Sequence, residues 1–93
     1  MSKAKGSRAE HRTIRVLEAA GYTCTRAGGS LGLWDVIAIG PGDVRCVQVK
    51  AGKAPYCAPA EREALALFAA PPGCRKELWK WRDYARTPEI EVL

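Results

Sequence analysis

Three polar residues interrupt two apolar stretches of the sequence, and their side chains are of the kinds that act on phosphate groups. Asp35 lies in the stretch Trp-Asp-Val-Ile-Ala-Ile, and Gln48 and Lys50 lie in the stretch Val-Gln-Val-Lys. Mg²⁺ accepts carboxylate and amide oxygens as ligands, and an ammonium group can orient a water or balance the charge of a phosphate under attack. The three residues are therefore candidates for metal-assisted chemistry on a phosphodiester.

A turn between the two stretches predicts that they pair as a β-hairpin. Residues 40–43, Gly-Pro-Gly-Asp, are typical of a turn, and a loop of this length pairs Ile39 with Val44. The same register places Asp35 opposite Gln48, with their Cβ atoms about 4.5–5.5 Å apart. A carboxylate and an amide are thereby expected on one spot of the sheet.

Lys50 and two residues outside the hairpin complete the candidate site. Lys50 follows Gln48 by two positions and is expected on the same face of the sheet. Glu10 lies on the apolar face of the first helix, and Ser30 lies in a glycine-rich loop just before the second strand. Each has a structural alternative: Lys50 could form a surface salt bridge with Asp35, Glu10 could serve a capping box, and the serine could have a simple loop role.

Residue patterns along the chain predict one small α/β domain. Ser7 and Glu10 have the spacing of a capping box, so the first helix is expected to begin at Ser7 and to stop at Gly21. Strands are expected at 22–26, 33–39, 44–50 and 77–84, a second helix at 60–70 and an edge strand at 90–92. The order α-β-β-β-α-β, with this terminal strand added, predicts an α/β or α+β fold with one central mixed sheet flanked by helices.

Length and composition restrict the function classes. The 93 residues allow a single domain, 1–93, and contain no apolar run of the roughly 18–20 residues that a membrane span needs. The net charge of +5, with basic residues crowded in 3–15 and 75–86, favours nucleic acid as a partner, with a merely solvated surface as the alternative. Four cysteines without paired spacing and an N-terminus without a signal core indicate reduced thiols and a cytoplasmic protein.

These residues together resemble the PD-(D/E)xK nuclease superfamily, and within it the archaeal-type Holliday junction resolvases. The resemblance rests on Glu10 in the first helix, on Gly29-Ser30-Leu31-Gly32 before Asp35, and on Val47-Gln48-Val49-Lys50, and it spans residues 6 to about 82. It implies a restriction-endonuclease-like core, a homodimer, branched DNA as the substrate, and Mg²⁺ as the cofactor, for which Mn²⁺ can substitute.

The resemblance also implies a role for each candidate residue. Asp35 would bind the metal, Gln48 would stand where an acidic residue usually binds it, and Lys50 would be the catalytic lysine. Glu10 would complete the acidic cluster, and Ser30 would lie near the scissile phosphate. Contacts to DNA are implied for Lys3, Lys5, Arg8, Arg12, Ser30 and Lys53.

Two positions depart from the family pattern and leave alternatives open. Trp34 stands where the motif has proline, and the amide of Gln48 replaces a charged ligand. Glutamine at this position is also found in the virus-type replication-repair nuclease module, which implies cleavage of flaps or linear DNA. A relative that binds DNA without cutting it is the third alternative.

Overall fold

The structure is a computed structural model that describes residues 2–27 and 33–93, with side chains from Ser7 onward. The elements are α1 (Ser2–Ala19), β1 (Thr23–Arg26), β2 (Val36–Ile39), β3 (Val44–Gly52), α2 (Pro59–Leu67), β4 (Cys74–Arg82) and β5 (Glu89–Val92). The predicted order of elements and the terminal edge strand are confirmed. The bounds differ from the predicted ones by up to five residues.

The five strands form one mixed sheet in the order β1-β2-β3-β4-β5. Strands β1, β2 and β3 run antiparallel as a meander, and β5 runs antiparallel to β4. Strand β4 lies parallel to β3, because α2 carries the chain back to the same end of the sheet. The predicted hairpin register is confirmed, since Ile39 pairs with Val44 and Val36 with Val47.

Each face of the sheet carries its own apolar core, as the alternation of side chains along a strand requires. On one face, Leu17 of α1 packs with Val47 and with the buried rings of Trp79 and Trp81. On the other face, Leu65 of α2 packs with a second set that consists of Trp34, Cys46 and partly buried neighbours. The two tryptophans of β4 are thus core residues, and the sheet lies between α1 and α2.

Helix α1 begins five residues earlier than the capping-box interpretation predicts. It starts at Ser2, so Ser7 lies inside the helix and the predicted capping box is wrong. The alanine and lysine residues of the first turns are strong helix formers, which explains why the helix extends through them. Its end is as predicted, with Gly21 in the left-handed region at φ 100°.

Hydrogen bonds fix α1 against the sheet. Thr13 is fully buried; its hydroxyl donates to the carbonyl of Ala9 and accepts from Trp81 Nε1, each at 2.8 Å. The guanidinium of Arg12 lies over the Trp81 ring, 4.2 Å from its centroid. These contacts determine where the face of α1 that carries Glu10 meets the sheet.

The four cysteines are free thiols. Neither helix in the described part of the chain has the length and apolar character needed to cross a membrane.

Candidate active site

Asp35 lies at the point where β2 begins and the pairing with β3 ends. Its backbone N–H donates to the carbonyl of Val47 at 2.9 Å, and its carboxylate Oδ2 accepts the N–H of Val49 at 2.9 Å. The last paired residues of the ladder are Val36 and Val47. Asp35 therefore does not face Gln48 across a regular pair, but its carboxylate crosses onto the main chain between Gln48 and Lys50.

Gln48 is buried and its amide is held from two sides. Its Nε2 donates to the carbonyl of Leu33 at 2.7 Å and to Glu61 Oε2 at 3.3 Å. Because both donated bonds come from the NH₂ group, they fix the plane of the amide and turn Oε1 away from Leu33. A fixed amide oxygen is a neutral donor of the kind a hard cation accepts.

Lys50 forms an ion pair with Glu61, a residue that sequence analysis did not single out. Lys50 Nζ lies 2.9 Å from Glu61 Oε1 and 3.1 Å from Glu61 Oε2. Glu61 stands in the first turn of α2, where an acidic residue is favourable for the helix dipole. An acidic residue in the first turn of a helix is ordinary, so the sequence gives no sign that Glu61 reaches Lys50. Residues 53–58 also carry no pattern that fixes how α2 packs against β3.

Glu10 reaches the same end of the sheet from α1, and it is bound to Arg26 of β1. Arg26 Nε and Nη2 lie 3.0 and 2.9 Å from Glu10 Oε1. The Glu10 carboxylate is also close enough to Asp35 to act on the protonation of that residue. Four elements of the fold, α1, β1, β3 and α2, thus bring charged groups to the segment where Asp35 lies.

The charges of this cluster do not balance. Glu10, Asp35 and Glu61 are three carboxylates, and Arg26 and Lys50 are two cations. Burial, the largest cause, raises the pKa of Asp35 above its usual value, and the charges of Glu10 and Glu61 raise it further. The bond from the Val49 N–H and the charge of Lys50 act in the opposite direction. The surroundings of Asp35 disfavour its ionised form, so an additional positive charge nearby would stabilise this carboxylate.

The oxygen atoms around Asp35 fit a hard divalent cation in chemical type. They are the desolvated Asp35 carboxylate, the fixed amide oxygen of Gln48 and the Val49 carbonyl, which strand geometry directs to the same side of β3 as the N–H that bonds to Asp35. Within residues 7–27 and 33–93, no three His, Cys, Asp or Glu side chains are grouped so that they alone could hold a metal. Such a donor set is typical of Mg²⁺ that is completed by waters and by the phosphate of a substrate.

The structure describes the side chains of three of the six residues predicted to contact DNA. Ser30 lies outside the described residues, and so do the side chains of Lys3 and Lys5, although both lie within the range of α1. Arg8 and Lys53 are exposed. Arg12 is partly buried and donates from Nη2 to the carbonyl of Ala85 at 2.8 Å, so it anchors the β4–β5 connection as well as covering Trp81.

No family model, curated protein or solved structure matches this chain.

Proposed function

We propose that this protein is a Mg²⁺-dependent endodeoxyribonuclease that cuts branched DNA, as a Holliday junction resolvase does. The observation that carries the proposal is the hydrogen bond from the Val49 N–H to the Asp35 carboxylate, which holds this carboxylate within electrostatic reach of Lys50 near the end of β3. The element order and the mixed sheet support a restriction-endonuclease-like core, which belongs to the same proposal.

Asp35, Gln48 and the Val49 carbonyl are the groups that would hold the cation. When bound, the cation supplies positive charge to the phosphate and makes a nearby water more acidic. The cluster has one more carboxylate than it has cations, so an added positive charge relieves repulsion at Asp35. The same charge offsets the repulsion that a DNA phosphate would otherwise meet at these carboxylates.

Lys50 would orient the attacking water and the phosphate oxygens. Its ammonium carries three N–H donors, and Glu61 occupies one side of it, which limits the directions in which the remaining donors point. Water would attack phosphorus in line with the bond to the 3′-oxygen. That bond breaks and leaves a 5′-phosphate and a 3′-hydroxyl.

Glu61 supplies a carboxylate beside the position where Gln48 departs from the family pattern. The Glu61 Oε2 atom lies 3.3 Å from Gln48 Nε2. Through this contact and the ion pair with Lys50, one residue of α2 positions two members of the site. We include Glu61 in the proposal as a positioning residue for both.

The charge of the molecule and the known behaviour of the resembled enzymes supply the rest of the proposal. A net charge of +5 suits a polyanion, and the exposed Arg8 and Lys53 are available for phosphates. Cutting a four-way junction symmetrically needs two copies of one site, so a homodimer is part of the proposal.

A cleavage assay on three matched DNAs tests this function. Wild type and Asp35→Ala are incubated with Mg²⁺ or Mn²⁺ and a four-way junction, a 5′ flap or a linear duplex of the same sequence. The proposal expects junction cleavage by wild type and none by the variant. Preferred cutting of flaps or duplex would favour the replication-repair module instead, and binding without cutting by either protein would leave only a DNA-binding domain.

A further inference from the structure

A groove lies at the same end of the sheet as the candidate active site, and of its lining residues only Arg8 enters the function proposed above. It has a volume of about 510 Å³ and lies between α1 and the connection that follows β4. Ala9 and Ala51 line it, and these residues are the immediate chain neighbours of Glu10 and Lys50. Since Ala51 points to the opposite face from Lys50, the groove opens on the α1 face of the sheet, at the end where the candidate site lies.

The lining of the groove is basic. Arg8 from α1 and Arg82 from the end of β4 stand with Arg12, against the single carboxylate of Asp83. Arg8 is exposed, and Arg82 forms a long ion pair, 3.7 Å, with the exposed Glu89. Guanidinium groups in this arrangement suit the phosphates of a nucleic acid strand.

Tyr84 presents an aromatic ring at the edge of this groove in a conformation that tyrosine rarely adopts. Its side chain is fully exposed, and its φ of 64° lies in the left-handed region that favours glycine or asparagine. Tyr84 is the third residue of a turn closed by a 3.1 Å hydrogen bond from the Ala85 N–H to the Arg82 carbonyl. Neither burial nor backbone preference accounts for a tyrosine here.

The turn that carries Tyr84 is held rigidly in place. The N–H of Asp83 donates to the carbonyl of Gly52 at 2.9 Å, which ties the turn to the end of β3. Arg12 ties it to α1 through the carbonyl of Ala85. On an anchored turn the backbone of Tyr84 is in place before a ligand arrives, so only the side-chain torsions of the ring remain to be ordered.

From these contacts we infer that the groove binds an unpaired nucleotide of the DNA substrate, with its base stacked on Tyr84 and its phosphates on Arg8 and Arg82. A base in a duplex is covered on both faces, whereas an unpaired base offers a face to an aromatic side chain. The inference rests on the proposed function and makes it more specific. The favoured substrate has unpaired nucleotides on the strand that passes from the cleavage site to the α1 face of the sheet.

The test measures binding without cleavage, by fluorescence anisotropy in buffer with a chelator. The probes are a linear duplex and the same duplex with a short single-stranded gap. We expect Tyr84→Gly and Tyr84→Asn to bind the gapped DNA about 5- to 150-fold more weakly than wild type, with duplex binding unchanged. Tyr84→Phe, which keeps the ring, should bind both DNAs as wild type does.

Glycine and asparagine suit the backbone at position 84, so these variants should have the Tm of wild type. A loss of binding would therefore not be caused by unfolding. Equal binding of gapped DNA by wild type and Tyr84→Gly, or an equal loss on duplex and gapped DNA, would overturn the inference. Weak binding by Tyr84→Phe would overturn the stacking role. In each case the proposed function would survive if Asp35→Ala still abolished cleavage, whereas both would fall if wild type bound none of the DNAs.

The arginines provide a matched comparison on the same probes. Arg8→Ala should reduce the slope of log K against log salt on gapped DNA by about 0.7, as expected for one lost phosphate contact to a single strand. Arg15→Ala serves as the control, because Arg15 is exposed on α1 seven residues away and does not line the groove. An identical change in the two variants would contradict a phosphate site in the groove.

Discussion

Strand β3 carries a polar cluster at each end, and the two clusters differ in whether their charges are fully paired. At the hairpin end, Arg45 lies 3.4 Å from the buried Glu77 and donates to Tyr22, which in turn donates to Asp43 at 2.6 Å. Glu77 also accepts from Trp79 Nε1 at 2.9 Å. Every charged group named here has a partner of opposite charge or a hydrogen bond.

At the other end of β3, the charges around Asp35 are in excess. Three carboxylates share two cations, and burial with two neighbouring carboxylates raises the pKa of Asp35. A polar network that stabilises a fold normally pairs its buried charges, whereas a ligand-binding site retains an unpaired charge that its ligand neutralises. The comparison indicates that the hairpin end stabilises the fold, and the proposed function assigns ligand binding to the Asp35 end.

The largest expected effect is the loss of cleavage when Lys50 is removed. Lys50→Met should reduce junction cleavage by about 10²- to 10⁴-fold, since the group that orients water and phosphate is lost. Lys80→Met is the matched control, because Lys80 pairs with Lys50 across the β3–β4 ladder. Rates are compared under single-turnover conditions, and a similar loss in both variants would show a general charge effect instead of a site.

The next effect is on stability at the hairpin end. Glu77→Ala should lower the free energy of unfolding by about 3–5 kcal/mol, because the partly buried Arg45 loses its buried partner and Trp79 loses its acceptor. Glu89→Ala, at an exposed position of β5, should change it by less than about 0.5 kcal/mol. Denaturant titration measures both, and a variant at 77 as stable as wild type would remove the structural role of this cluster.

Glu61 should have a smaller effect on cleavage than Lys50 does. Glu61→Gln should reduce junction cleavage about 10- to 100-fold, as loss of a residue that positions others in a metal site does. Glu63→Gln is the control, since Glu63 is exposed in the same helix two residues away. Equal cleavage by wild type and Glu61→Gln would show that the contacts of Glu61 with Lys50 and Gln48 are not used.

The smallest effect is the pH dependence of stability that Asp35 causes. Its pKa in the folded state is raised above the ordinary value of 3.8, so ionised Asp35 destabilises the fold at neutral pH. Asp35→Asn should therefore raise the Tm at pH 7, by about 2–4 °C. The gain should shrink as the pH falls through the raised pKa and disappear below 3.8. Thermal melts across this range check the sign, and a lower Tm of the variant at pH 7 would contradict it.

Local patterns in the sequence predict much of this site. Turn residues fix the hairpin register, and alternation along β3 places Gln48 and Lys50 on one face. Together these bring Asp35 to the correct segment of β3, although its side chain bonds to Val49 instead of facing Gln48 across a pair. This succeeds because a short hairpin is specified by residues close in the chain.

Contacts between distant segments were not predictable in the same way. Helix periodicity directs Glu10 toward the sheet, with a capping box as the alternative, but neither interpretation predicts its partner, Arg26 across the α1–β1 interface. Glu61 reaches Lys50 only through the packing of α2 on the sheet, which no local pattern specifies. Tyr84 takes a positive φ without being glycine or asparagine, so its turn left no ordinary signal in the sequence.

The most direct test of the account exchanges one aspartate for asparagine at each end of β3. Asp35→Asn and Asp43→Asn are compared with wild type in Mg²⁺-dependent junction cleavage and in thermal unfolding. The account predicts that Asp35→Asn loses cleavage while its Tm is unchanged or higher, and that Asp43→Asn keeps cleavage while its Tm falls. Cleavage that survives in Asp35→Asn, or that is lost equally in both variants, would contradict the assignment of catalysis to the Asp35 end.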